Sequence, residues 1–550
     1  MRLALLVFIF SLSFQNSWAE TEGDWEYSVL NNEATITKYT KGLGDSILSI
    51  PSILGGYSVT SIGDSAFAGN WGINEINIPN TVRSIGYGAF HSCRFLGKVN
   101  IPNSVTVIAS RAFVGTGLLS ITIPDSVTSI GSQAFAGCMS ITSIIIPDSV
   151  TSIEYETFLR CPSLTSITIG NGVKSIGSMA FYGCSNLTNI TIPDNVTSLG
   201  SSAFEECTNL ASVTIGNGLT GIEAYTFVAL TRLVSVSIGN SVTYIGTSAF
   251  EGCTSLSAMN IPNSVKTIGS IAFMNCRKLD SVTIGNGVTG IHPSAFFLCP
   301  ASFNVATDNP SYSHDDVGVL YNKAKTTLVR YPSKLTTTSY VIPDTVTTID
   351  INAFSNCMNL LSVTLPSSVT YIRSNSFYGC SSLTNIIIPN SVATIDTYAF
   401  SNCTSLTSII IPKSVTTLWW GVFYNCNSLA RIYFQGNAPV VYEDNLFSLT
   451  PAKLYYFSGT TGWGSSLAGK STYQIVKPSI QSLALSTDGT AQIGWAATPD
   501  ISYSIESTDN LANSFIFRSV KTASNSVETW VDSEPSLTGR RFYRITLLQQ

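Results

Sequence analysis

Twelve cysteines are the residues with the most chemical potential in this 550-residue chain. Cysteines in an exported protein can form disulfides, and clusters of them can bind zinc. All twelve, however, stand three positions after a phenylalanine of a recurring segment, at Cys93, Cys138, Cys161, Cys184, Cys207, Cys253, Cys276, Cys299, Cys357, Cys380, Cys403 and Cys426. Three further copies of the segment have Asn70, Thr116 and Leu230 at the same place.

A position that accepts leucine or threonine is a packing position, because free cysteine behaves as a small buried hydrophobe. We therefore predict buried free thiols. Disulfides between neighbouring repeats are the alternative, although parallel side chains fit disulfide geometry poorly. A zinc site is disfavoured because ligands in a single row cannot surround the metal.

Catalysis by histidine has few residues available, since the chain contains only His91, His292 and His314. None stands beside a nucleophile motif such as Gly-x-Ser-x-Gly, and we find no phosphate-binding loop and no dinucleotide-binding motif. His314 is close to Asp308, Asp315 and Asp316, whose oxygen atoms could bind a cation, but a solvated acidic turn is favoured. We predict a protein without catalytic residues, cofactor or metal.

Hydroxyl and amide side chains recur in pairs around an aliphatic residue. In Leu164-Thr-Ser-Ile167-Thr-Ile169 a strand would direct the isoleucines inward and the hydroxyls outward. The candidate binding face built in this way consists of Ser166, Thr168, Asn189, Thr191, Ser212, Thr214, Ser235, Ser237, Ser281, Thr283, Ser362 and Thr364. A long, weakly charged ladder suits multivalent contact with a protein or glycan. Solubility alone is the alternative, because serine and threonine are good exposed strand residues.

A candidate aromatic patch is formed by Trp419 and Trp420, which replace a glycine-containing site in the last regular repeat. Two adjacent tryptophans could stack on a sugar or anchor a protein partner. Packing of the rings against the C-terminal cap is favoured.

The elements that position these residues repeat with a fixed period. The marker phenylalanines are Phe67, Phe90, Phe113, Phe135, Phe158, Phe181, Phe204, Phe227, Phe250, Phe273, Phe296, Phe354, Phe377, Phe400 and Phe423. Twelve of their fourteen intervals are 23 residues, one is 22, and one is 58. Such a period indicates a solenoid in the size range of leucine-rich repeats.

The fold class is therefore mainly β, a leucine-rich repeat solenoid of about fifteen 23-residue coils with short helical turns, followed by a small C-terminal β-sandwich. The predicted organisation is a signal peptide (1–19), an N-terminal cap (20–57), the solenoid (58–440, with an insertion at 301–340), a C-terminal cap (441–477) and the sandwich (478–550).

One copy of the repeat runs from Ser126-Val-Thr-Ser-Ile130-Gly through Ala134-Phe135 and Cys138 to Ile144-Ile-Ile-Pro147. This pattern resembles the BspA-type leucine-rich repeat of bacterial surface and secreted proteins, over roughly residues 24–475. The resemblance implies an extracellular binding or adhesion protein, in some members one that recognises host matrix proteins or other bacteria. It implies no catalytic residues and names no ligand.

Export is indicated by Arg2, the apolar run from Leu3 to Phe14, and the small-x-small sequence Ser17-Trp18-Ala19, with cleavage expected between Ala19 and Glu20. No later stretch is apolar enough to be a transmembrane segment. A net charge of −5 without a basic run argues against nucleic acid. We expect a secreted or cell-surface, non-enzymatic adhesion scaffold with an extracellular protein or glycan partner; a self-assembling component of the envelope or matrix is the alternative.

Overall fold

The computed structural model describes residues 19–42, 46–442, 445–487, 490–499, 501–509, 511, 514–533 and 541–547. Within these ranges the chain consists of strands and turns, without a helix. No helix in the described ranges therefore has the length and hydrophobicity of a membrane span. The chain forms two compact units, Met1–His314 and Asp315–Gln550. The predicted signal peptide lies outside the described residues except for Ala19, which begins the first strand.

A single coil shows why the repeat folds as it does. Around Phe135, three turns are closed by backbone hydrogen bonds from Ala134 N to Gly131 O (3.2 Å), from Ala136 N to Gln133 O (3.1 Å) and from Cys138 N to Phe135 O (3.3 Å). Gln133 in the first turn and Gly137 in the last have left-handed backbones, with φ of 60° and 69°. A left-handed residue interrupts helical geometry. The segment in which the sequence predicts a short helical turn is therefore a series of three turns.

One side of each coil is a broad face of parallel strands, whose pairing is in register because equivalent residues of neighbouring coils are partners, as Thr191 and Thr214 are. In the first unit its strands are Ile47–Ser49, Glu75–Asn77, Lys98–Asn100, Ser143–Ile146, Ser166–Ile169, Asn189–Ile192, Ser212–Ile215, Ser235–Ser237, Ala258–Ile261, Ser281–Ile284 and Ser302–Val305. In the second unit they are Ser339–Val341, Ser362–Thr364, Asn385–Ile387, Ser408–Ile411, Arg431–Phe434, Lys453–Phe457 and Lys470–Ile475.

The other side is a narrow face of shorter parallel strands. In the first unit these are Tyr57–Ile62, Ser84–Ile85, Val107–Ile108, Ser129–Ile130, Ser152–Ile153, Ser175–Ile176, Ser198–Leu199, Gly221–Ile222, Tyr244–Ile245, Thr267–Ile268 and Gly290–Ile291. In the second unit they are Thr327–Arg330, Thr348–Ile349, Tyr371–Ile372, Thr394–Ile395, Thr417–Leu418 and Val440–Val441.

Between the two faces the marker phenylalanines form the core. From Phe67 to Phe296 adjacent rings are 5.0–5.6 Å apart between centroids and within 15° of parallel. In the second unit the stack begins with Tyr331, which lies 5.1 Å from Phe354, and ends with Phe447. Because each ring packs on its neighbours, a coil is stabilised mainly by the coils above and below it.

The first coil is covered by strands that pair mostly antiparallel, namely Ala19–Glu22, Trp25–Leu30, Glu33–Tyr39 and Ile53–Leu54. Glu33–Tyr39 also pairs in parallel with Tyr57–Ile62 and so joins the narrow face. The rings of Trp25 and Tyr39 lie 6.2 and 5.8 Å from Phe67. The apolar end of the first unit is thereby kept from water.

Three further short strands are Tyr312–His314 in the first unit and Leu320–Asn322 and Ser466–Leu467 in the second. After them come two three-stranded antiparallel sheets, one of Ile480–Leu485, Ala491–Ala496 and Val527–Asp532, the other of Ser502–Thr508, Ile516–Thr522 and Phe542–Leu547. Trp495 of the first sheet and Tyr503 and Ile505 of the second belong to one buried cluster. We call these six strands the C-terminal sheets.

Candidate binding surface

The outward side of the broad face carries the candidate residues. Strand alternation buries Ile190 and Ile192 and leaves Asn189 and Thr191 exposed between them. Eleven of the twelve candidate residues are exposed and Ser212 is half-buried. Ten of them lie in the first unit, while Ser362 and Thr364 lie in the second.

The hydroxyl groups of this face are available to a partner. None of the eleven serine and threonine candidates has a side-chain hydrogen bond inside the part of the chain that the structure describes, and Asn189 contacts only the Thr188 hydroxyl, at 3.2 Å. Threonines one position before the strands behave differently, since Thr165 Oγ1 donates to Thr142 O at 2.9 Å. A free hydroxyl can both donate and accept a hydrogen bond. The face therefore presents an ordered row of donors and acceptors.

Several of the corresponding outward positions in the second unit are apolar or aromatic, although Ser362 and Thr364 keep the hydroxyls. Val341 and Ile387 are 70% and 75% exposed. Further along, the ring of Tyr455 stacks on Tyr433 at a centroid distance of 5.4 Å and lies tilted against Tyr473 at 5.5 Å. Tyr455 is buried and packs in the same cluster as Trp495 and Tyr503 of the C-terminal sheets. The broad face is thus covered at this end.

Tyr433, Tyr455 and Tyr473 were not predicted as functional residues. Their strands carry the same alternation as the hydroxyl strands, and the only available signal was the replacement of serine and threonine by tyrosine at the outward positions.

The aromatic patch lies at the narrow face, away from the hydroxyl row. The Trp419 ring stacks on Tyr442 of the next coil, with a centroid distance of 4.6 Å and an interplanar angle of 13°. Trp419, Trp420 and Tyr442 are 37%, 43% and 52% exposed. The stacking of Trp419 on Tyr442 agrees with packing at the C-terminal end, while the exposed parts of the rings stay open to solvent.

The twelve cysteines are buried free thiols, as the sequence predicts. Eleven of them donate a hydrogen bond from Sγ to the carbonyl oxygen of the marker phenylalanine in the preceding coil, over 2.6–3.3 Å. The phenylalanine N–H is used as well, since Phe135 N donates to Thr157 O at 2.9 Å. Burial raises the pKa of the Cys93 and Cys207 thiols to about 12.

This combination of phenylalanine and cysteine recurs throughout both units and coincides with the match of a family model. The model of the BspA type leucine rich repeat region matches in six copies, over residues 60–187, 128–257, 174–302, 220–339 and 330–450. The chain belongs to the BspA-type leucine-rich repeat family. None of the curated proteins matches it.

Several solved structures are similar to this BspA-type chain. A leucine-rich cell surface protein from Faecalibacterium prausnitzii is 29% identical, with 82% of this chain and 99% of that chain covered and a TM-score of 0.43. A leucine-rich repeat protein from Bacteroides ovatus is 26% identical, with 80% and 95% covered and a TM-score of 0.45.

The histidines of these BspA-type repeats make local hydrogen bonds. His91 Nδ1 is 3.1 Å from Ser92 Oγ, and the Nδ1 atoms of His292 and His314 accept from the backbone N–H groups of Ser294 and Val305.

The acidic residues of the insertion are engaged too. Asp308 accepts from Asn286 at 2.7 Å, and the Asp315 carboxylate accepts from the Val319 N–H and from Tyr340 Oη. The described residues contain no group of three or more histidine, cysteine or acidic side chains that could hold a metal ion.

Proposed function

We propose that this protein is an exported, non-enzymatic adhesion scaffold that binds an extracellular protein or glycan through the hydroxyl row of the broad face. The observation that carries the proposal is the row itself, in which the candidate side chains recur in register on the strands Asn189–Ile192, Ser212–Ile215 and Ser235–Ser237, and its hydroxyls have no side-chain hydrogen bond within the described part of the chain. Weak contacts repeated along one rigid face add up by multivalency. Membership in the BspA-type repeat family supports the same conclusion.

The location that we propose is the cell surface or the extracellular medium. It rests on the charged start at Arg2, the apolar run from Leu3 to Phe14 and the cleavage sequence before Glu20. We further propose that the N-terminal strands and the segment 441–477 act as caps, and that the C-terminal sheets form a small β-sandwich used for attachment.

The test is a binding screen of the mature chain, Glu20 to Gln550, against an array of matrix proteins and glycans. We expect a saturable interaction that weakens at least tenfold when Thr168→Lys and Thr191→Lys are combined, because two long cations would block adjacent rungs of the row. Thr128→Lys combined with Thr151→Lys adds the same charge on two adjacent coils beside the narrow face and serves as the control. Equal loss with this control, or no ligand at all, would exclude this role for the row.

A second candidate function is self-assembly into an envelope or matrix component. It is favoured by the exposed apolar side chains Val341 and Ile387 on the broad face of the second unit. Light scattering separates the two functions, since self-assembly gives a mass that grows with concentration and is reduced by Val341→Ser combined with Ile387→Ser.

A further inference from the structure

One coil of the first unit is shorter than its neighbours. The interval from Phe113 to Phe135 is 22 residues, and the missing residue falls in the Gly115-Thr116-Gly117 segment. Gly117 lies so close to the preceding coil that a Cβ atom there would be 2.3 Å from Arg94 O. The short coil therefore leaves no room for a side chain at this point.

The broad face is interrupted in the same coil. Leu119 N still donates to Gly97 O at 3.1 Å, and Thr128 N donates to Thr106 O at 2.9 Å. The structure describes residues 120–123 and the two flanking strands, Lys98–Asn100 and Ser143–Ile146. Within these ranges, residues 120–123 form no strand, and they form no backbone hydrogen bond with either flanking strand. Unpaired N–H and C=O groups are thereby presented where other coils have a sheet.

A groove of about 640 Å³ lies at this interruption. Its polar lining comprises three amides (Asn77, Asn100 and Asn103), the hydroxyls of Ser120 and Thr122, and the Asp125 carboxylate. Asn77 and Asn100 are register partners on adjacent strands, so their amides stand side by side. Lys98 also borders the groove, but its ammonium is paired with Glu75 at 2.8 Å.

We propose that this groove binds a neutral oligosaccharide, an inference that rests on the proposed binding function and specifies a site for it. Each amide offers a donor and an acceptor together, and each hydroxyl offers both, which matches the paired hydroxyls of a sugar ring. The groove has one cation, already paired, and one carboxylate, so it selects neither an anionic nor a cationic ligand. Its aliphatic residues Ile121 and Ile123 are only 7% and 6% exposed, which leaves no pocket for an apolar peptide side chain.

The experiment is calorimetric titration of the mature chain with cellohexaose, laminarihexaose, mannohexaose and xylohexaose. We expect saturable binding of at least one of these hexasaccharides, weakened tenfold or more by Asn77→Ala combined with Asn100→Ala. Ser120→Trp, which fills the groove without removing an amide, is expected to have the same effect. Asn186→Ala combined with Asn209→Ala removes another pair of neighbouring amides, which lies outside both the groove and the hydroxyl row, and is expected to leave the affinity unchanged.

Thermal unfolding of each variant checks that the fold is retained. The proposal is overturned if no hexasaccharide binds, if the groove variants bind as the parent chain does, or if an extended peptide competes for the groove. The experiments distinguish a wrong groove proposal from a wrong proposed function. If only the groove proposal is wrong, the array binding that depends on Thr168 and Thr191 persists.

Discussion

At the scale of single residues, the cysteine position of each coil has two requirements. The residue there fills a space that is enclosed, and in most coils it also donates to the buried carbonyl of the preceding phenylalanine. A thiol meets both with a small apolar volume and a weak S–H donor. Threonine meets them with a hydroxyl, as Thr450 Oγ1 does by donating to Phe423 O. Leu230 fills the space and has no donor to offer.

Buried thiols predict a loss of stability at alkaline pH. Burial raises the pKa of Cys207, Cys357 and Cys426 from 9.0 to about 12. Between these values the unfolded chain releases protons that the folded chain retains, so the free energy of unfolding falls as pH rises. Each thiol contributes up to about 1.4 kcal/mol per pH unit in that window. Urea unfolding in reducing buffer from pH 7 to 11 is expected to show a plateau and then a decline above pH 9.

Other groups also titrate in this range, so the comparison that decides is between variants. Cys207→Ser removes one titrating thiol. We expect the free energy of unfolding to fall less steeply with pH, by up to the amount that corresponds to the release of one proton on unfolding. Thr116→Ser changes the equivalent position of another coil without changing the number of thiols and should keep the parent slope. Identical slopes for all three chains would contradict the assignment.

At the scale of elements, the broad face serves two purposes within the second unit. Its first strands leave apolar residues exposed, and its last strands hold the C-terminal sheets through Tyr455 and Ile475, both buried against Trp495 and Tyr503. The backbone N–H of Val476 also donates to the Thr498 hydroxyl at 3.1 Å. The C-terminal sheets are therefore packed on the last coils, and the segment between them is not a free linker.

This packing predicts the effect of Tyr455→Ala. Removing a buried aromatic ring costs about 3–5 kcal/mol, and here the loss falls on the contact with the C-terminal sheets. We expect thermolysin, which cleaves on the amino side of large apolar residues, to cut the Ser479–Ile480 bond at least tenfold faster, measured under native conditions. Tyr442→Ala, which truncates a tyrosine that is 52% exposed and outside this cluster, is the control. Equal cleavage rates would show that Tyr455 does not hold the sheets.

The period of the sequence was sufficient to predict the coils, the phenylalanine core and the outward orientation of residues such as Thr168, because alternation along a strand is a local property. The prediction of helical turns was wrong because the backbone of this segment does not depend on local sequence alone. The left-handed conformation of Gln133 is stabilised by hydrogen bonds to the next coil. Tyr331 and Phe447 were missed as members of the ring stack, because one is a tyrosine and the other follows Phe423 by 24 residues. The covering of Tyr455 depends on a segment far along the chain, and no local pattern contains it.

At the scale of the whole molecule, the free energy of unfolding is approximately a sum over the stacked coils. A deletion is therefore tolerated when it removes one full period of the repeat. Deleting residues 175–197 removes one period and leaves Phe158 and Phe204 23 residues apart, so both faces and the ring stack can re-form. We expect a folded chain with a β circular dichroism spectrum and a slightly lower Tm. Deleting only 175–186 places strand residues opposite turn residues and should abolish cooperative unfolding. A similar Tm for both deletions would contradict the view that the period of the repeat sets the register of strand pairing between coils.

The absence of disulfides among the twelve cysteines has a mechanical consequence. Apart from the continuous polypeptide, neighbouring coils are held together by hydrogen bonds and packed side chains, and no covalent cross-link clamps one coil to the next. In the adhesion function that we propose, tension between an attached end and a bound partner would detach coils one at a time, each releasing about 80 Å of extended chain. The attachment would lengthen stepwise under load and re-form when the force is removed.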